Sequence, residues 1–145
     1  MSQQTIDGLN SVLADAVVFY HKMHHYHWHV SGRDFFLLHE QFEELYTRWA
    51  QVIDEVAERV VTLGGRAHAT LAAALEASAL KEDADYPDAG AMVAATVADL
   101  DTQRGRLIHV AEQAEADDDR ATIGMMDELA AEIEKRLWMW RAWQA

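Results

Sequence analysis

The chain has 145 residues, half of them hydrophobic and 26% charged, with a formal net charge of -13 and no cysteine. That length suits a single domain, residues 1–145, able to bury its own core, and the lack of cysteine excludes disulfides, zinc fingers and iron–sulfur clusters, so any metal must be held by imidazole and carboxylate. The acidity argues against direct nucleic-acid binding, which depends on Lys and Arg neutralising phosphates, and suits a protein that gathers cations.

The opening MSQQTIDGLN has neither the basic start nor the apolar stretch of a signal peptide. No apolar run reaches the roughly 18 residues that a membrane span needs. A cytoplasmic protein is the expectation. Seven Gly and a single Pro, amid abundant Ala, Leu and Glu, favour helix throughout.

A first helix is expected from about Asp7, as N-cap, to about Val30. Leu9, Leu13, Ala16, Tyr20, Met23, His27 and Val30 recur at three- and four-residue steps and form its core stripe. Ser31 and Gly32 stop it, Gly32 by taking the left-handed conformation that ends helices. A second helix runs from about Asp34 to Leu63 and ends at Gly64 and Gly65. A short Ala-rich helix, about Thr70 to Ala79, is followed by a loop over Lys81–Pro87. Asp88 caps the next long helix, about Ala89 to Ala116. Asp117, Asp118 and Asp119 repel one another and break the pattern, and a last helix spans about Thr122 to Trp143. The expected fold is all-α, an up-and-down four-helix bundle with one short extra helix.

The second helix carries two stripes. Leu38, Phe42, Leu45, Trp49, Val52, Val56, Val60 and Leu63 fall on a core-facing side. His39, Glu43, Asp54 and Glu58 fall within an arc of roughly 100° on another side. His39 and Glu43 are one turn apart, as are Asp54 and Glu58, so each pair could grip one ion. The centres of the pairs lie roughly 22 Å apart along the axis, too far for one ion to meet both. A second copy lying antiparallel across a two-fold axis near Arg48 and Trp49 would bring its own Asp54 and Glu58 beside the first copy's His39 and Glu43, giving two equivalent shared sites. Ala50 and Ala57 lie between the pairs, with Phe36 and Val61 at the ends, a surface suited to close helix approach. The alternative is a solvated face on which Arg48 and Arg59 form routine ion pairs.

His27 on an apolar stripe is, alone, a core histidine with a satisfied hydrogen bond; a ligand role depends on the His39 group. His21, His24, His25 and His29 crowd the end of the first helix, a tract able to bind metal adventitiously, and His24 lies one turn from His27. His68 and His109 are isolated. No Glu-x-x-His motif occurs, which removes the di-iron wiring in which two helices of one bundle each carry such a motif.

Four blocks, HKMHHYHWHVSG, FFLLHEQFEELY, IDEVAERVVTLGG and EKRLWMWRAW, together resemble the Dps family of mini-ferritins over nearly the whole chain. The resemblance implies a ferritin-like fold assembled as a hollow homo-dodecamer, with ferroxidase sites at two-fold interfaces that oxidise Fe(II) to Fe(III), preferentially with hydrogen peroxide, and a cavity that stores the mineral. By motif, His27, His39 and Glu43 would come from one subunit, and Asp54 and Glu58 from its two-fold mate. It further implies near-site roles for Trp28 and Tyr46, mineral nucleation at Glu40 and Glu44, and an Asp-lined three-fold pore. Gly124 stands at one such pore position, and Asp118, Asp119 and Asp127 are the substitutes. Many members bind DNA through a basic extension or tail; here no Lys or Arg precedes Lys22 and the chain closes on RAWQA, so direct DNA binding is not expected.

Overall fold

In a computed structural model, which describes residues 2–68 and 70–145, the chain is built from helices: α1 Gln3–His29, α2 Phe35–Thr62, α3 Leu71–Ala77, α4 Ala89–Ala116 and α5 Arg120–Gln144. No helix is long and apolar enough to cross a membrane among the described residues. Four of the starts follow from capping side chains. Thr70 accepts a hydrogen bond from the Ala73 N–H, Asp88 from that of Ala91, and Asp119 from that of Thr122, each satisfying one of the orphan donors at a helix N-terminus. The start of α1 differs from the expectation: Ser2, not Asp7, is the N-cap, its side chain accepting from the Gln4 N–H, and Asp7 lies a turn inside the helix. Gly32 (φ 103°) and Gly64 (φ 86°) adopt left-handed backbone just beyond α1 and α2, where residues with a Cβ are strained.

The direction of the helices corrects the up-and-down order. His27 meets His39 and Phe19 meets Trp49, so α1 and α2 are antiparallel. Thr5 bonds Asp117 and Lys22 pairs with Asp99, so α1 and α4 are antiparallel too. It follows that α2 and α4 run the same way, and the chain must travel the length of the bundle between them. Residues 63–68 and 70–88 belong to that crossover, with α3 packed on α1. Periodicity sets which residues face inward but carries no sign for direction, so this was not visible in the pattern.

The crossover is strapped to α1 by polar groups. Asn10 donates to the Arg66 carbonyl and accepts from the His68 N–H. Asp15, 1% exposed, accepts from the Ser78 hydroxyl, the Ala79 N–H and the Arg106 guanidinium, so its buried charge is satisfied. The Tyr26 hydroxyl donates to Asp83 at 2.6 Å, which holds that carboxyl below its ordinary range while burial pushes the phenol up. Every residue of the predicted core stripe on α2 is buried, and Trp49 donates its indole N–H to the Gln103 side chain within that core.

Candidate functional site

His27 closes the last turn of α1 and His39 sits in the second turn of α2, so the tight Gly32 reversal places the two imidazoles together. They stack with centroids 3.7 Å apart and planes 14° apart. Each is tied to the other's backbone: His27 Nδ1 lies 2.6 Å from the His39 carbonyl oxygen, and His39 Nδ1 lies 2.7 Å from that of His27. A carbonyl can only accept, so both Nδ1 atoms carry the proton. Both Nε2 atoms then keep a lone pair, which is the tautomer a metal ligand needs. The His27 carbonyl belongs to the final turn of α1, where intrahelical donors run out, so the same bond also finishes the helix.

His27 is buried, its Nε2 3.8 Å from a Glu43 carboxylate oxygen. Phe35, one turn before His39, stacks on that ring at 5.0 Å, and the Tyr46 ring stands edge-on to His27 at 5.2 Å. His24 in turn stacks on Tyr46 at 3.7 Å, and burial, helped by the nearby His21 and His27, lowers its imidazole below the ordinary pKa. The Tyr46 phenol is raised by burial and by the Glu43 carboxylate beside it. Phe35 on His39 and Tyr46 on His27, the latter backed by His24, therefore pack the imidazole pair from both sides. The Phe35–His39 spacing of four residues was the sequence signal for one of these contacts; the exchanged carbonyl bonds had none.

Asp54 and Glu58 lie on the same side of α2 near its other end, both exposed. Glu58 has its pKa raised, first by the charge of Asp54 and then by a hydrogen bond shared with it, as expected for two neighbouring carboxylates. Neither is in an ion pair among the described residues. Arg48 instead binds Glu132 and Glu55, and Arg59 binds Asp119, so the reading of Arg48 and Arg59 as their surface partners does not hold. Among the described residues, no group of three or more imidazole or carboxylate side chains converges within the chain to hold an ion.

Along this face the helix surface is uncovered from one end of α2 to the other. Phe36 is 83% exposed and Val61 60%, with Ala50 exposed and Ala57 half-buried. Trp28 projects outward at 65% exposure beside His24. Glu40, Glu44, Asp118 and Asp127 are exposed, as is Gly124. Asp119 is not free in the same sense: it pairs with Arg59 at 2.8 Å and caps α5 through Thr122. Of the C-terminal aromatic cluster, Trp140 is core, stacked on Phe42, whereas Trp138 is exposed.

Residues 6–145 match the family described as a ferritin-like domain. The chain is 45% identical to the DNA protection during starvation protein of Brevibacillus brevis, over 92% of this chain and 90% of that one. Among solved structures it resembles a Dps protein from Bacillus brevis (TM-score 0.97, 42% identity, all of both chains covered). It also resembles the Dps protein of Vibrio cholerae, described as a member of the ferritin-like diiron-carboxylate superfamily (TM-score 0.95, 34% identity, 99% of this chain and 90% of that one). These likenesses span the bundle, the crossover helix and both ends of α2, and the chain belongs to the ferritin-like Dps family.

Proposed function

We propose that the protein is a cytoplasmic iron-detoxifying and iron-storing ferroxidase, working as a hollow homo-dodecamer in which each iron site is divided between two chains. His27, His39 and Glu43 of one chain and Asp54 and Glu58 of its two-fold mate are the proposed ligands. The observation that carries this reading is the imidazole pair whose Nδ1 protons are committed to backbone carbonyls, leaving two fixed Nε2 donors.

Iron is the substrate. Imidazole and carboxylate together suit Fe(II), and the hard, charged oxygens favour the Fe(III) product. With few protein ligands per ion, positions stay open for hydrogen peroxide. Two Fe(II) ions give one electron each to one peroxide; its O–O bond breaks and, with two protons taken up, two waters form in place of a hydroxyl radical. Tyr46 and Trp28 are proposed to quench stray oxidising equivalents near the site. Glu40 and Glu44 are proposed to start the mineral. Asp118 and Asp127 are the proposed pore carboxylates, since both oxygens of Asp119 are engaged within its own chain.

His39→Ala combined with Asp54→Ala tests the site. Peroxide-driven Fe(II) oxidation is expected to fall at least tenfold in stopped-flow absorbance, with the shell still assembled; oxidation at the parent rate removes the site. The relatives named for DNA protection raise a second reading, direct coating of DNA. The charge of -13 opposes it, and protection by removing Fe(II) and peroxide is proposed in its place. In a gel shift at low salt, plasmid is expected to run unretarded.

A further inference from the structure

The imidazole-rich end of α1 has a second face that the iron site does not use. His25 and His29, one turn apart, point toward the crossover, away from His24 and His27. Their ring centroids are 5.0 Å apart and their planes 56° apart. His25 Nε2 lies 2.7 Å from the backbone carbonyl oxygen of Asp85. That oxygen can only accept, so Nε2 carries the proton and Nδ1 keeps its lone pair. A backbone carbonyl bonded to the non-ligating nitrogen is a common outer support of a metal-bound histidine. His29 is exposed and hydrogen-bonds no protein group among the described residues. Tyr86 covers one side, its ring edge-on to His29 at 4.8 Å and 5.2 Å from His25.

Two imidazoles that bind one tetrahedral ion at about 2.0–2.1 Å each have ring centroids about 3.2 Å from it, and hence about 5.2 Å from each other. The observed spacing is within a few tenths of an ångström of that separation. The His25 ring also borders a cleft of about 280 Å³ between α1, α3 and the crossover, lined by His21, Lys22, Glu82 and Asp83, which gives water access to that side of His25, while the exposed His29 is open to solvent. We propose that His25 and His29 form an accessory site for a borderline divalent cation, Cu(II), Ni(II) or Zn(II), separate from the iron site. Two nitrogens with water beyond them suit these ions better than Fe(II) or Mg(II), and Cu(II) binds tightest in the series.

Titration with Cu(II) alone, without iron, tests the site by calorimetry and by electron paramagnetic resonance. In a His27→Ala/His39→Ala chain, which lacks the iron-site imidazoles, about one Cu(II) per chain is expected, with splitting from two nitrogens. Adding His29→Ala, a substitution at an exposed position, is expected to weaken binding at least tenfold and to reduce the pattern to one nitrogen. His29→Ala in the otherwise unaltered chain is expected to lose one equivalent of copper, which reads the site without relying on the first background. Copper uptake unchanged by His29→Ala overturns the proposal, as does no uptake at tens of micromolar Cu(II) in the His27→Ala/His39→Ala chain.

Discussion

At the turn between α4 and α5, one carboxylate ties three elements together. Asp119 accepts from the Thr122 N–H and hydroxyl, which starts α5, and from Arg59 near the end of α2. Burial works to raise its pKa, but these bonds outweigh it and hold the carboxyl below the ordinary value. A carboxyl depressed in the folded state stabilises fully above its unfolded pKa, about 3.9, and loses that contribution as pH falls through the lower folded value. Asp119→Asn keeps the capping oxygen and removes the charge. It is expected to cost about 1–3 kcal/mol at pH 7 and progressively less below pH ~4, measured as the parent-to-variant difference in urea unfolding at matched protein concentration. A difference that holds constant down to pH ~2 would show that the charge contributes nothing. The chain gave no warning of this role, because an Asp among three consecutive Asp residues reads as a helix break or, by resemblance, as a pore carboxylate, and neither reading implies a buried ion pair with Arg59. His27 shows the opposite balance: its stripe announced burial, while the bond to the His39 carbonyl depends on a reversal that pattern alone does not describe.

Among the helices, α2 was the most readable. A period near 3.6 separates its core stripe from its polar one, and both stripes stand in the structure as the spacing implied. Starts were harder where the capping residue precedes the apolar pattern, as Ser2 does before Gln3 and Gln4. The double-glycine stop after α2 also does more than end a helix. A Cβ on Gly65 would meet Ile6 Cγ2 at 2.7 Å and the Val60 carbonyl oxygen at 3.3 Å, so the start of α1 packs directly on the backbone there. Ile6 is buried and branched, and has little freedom to move aside. Gly65→Ala is therefore expected to destabilise by about 1–3 kcal/mol through overpacking, seen as a lower melting temperature with helical content retained at 25 °C. A variant melting at or above the parent temperature would mean that α1 shifts at no cost.

For the molecule as a whole, the decisive quantity is the distance along α2. The His39–Glu43 pair lies near one end and the Asp54–Glu58 pair near the other, their centres roughly 22 Å apart by helical rise, and the surface between them is uncovered, with the small Ala50 at its middle and the exposed Phe36 and Val61 beyond its two ends. If a two-fold mate completes each site, inactivity of two different kinds can cancel. One chain carries His27→Ala/His39→Ala and the other Asp54→Ala/Glu58→Ala, and each alone is expected to be inactive in peroxide-driven iron oxidation. In a mixed pair, one site combines both damaged halves and the other combines both intact halves. With equal amounts and random pairing, half the pairs are mixed and one site in two is whole within them, so about a quarter of the parent activity is expected after the chains are unfolded together and reassembled. Chains reassembled separately and then pooled provide the baseline, and should stay inactive. A site contained within one chain admits no such rescue, because neither chain then holds a complete set of ligands. Co-assembled shells, checked for mixed composition by native mass spectrometry, that remain as inactive as the pooled ones would rule out the shared site while leaving the fold untouched.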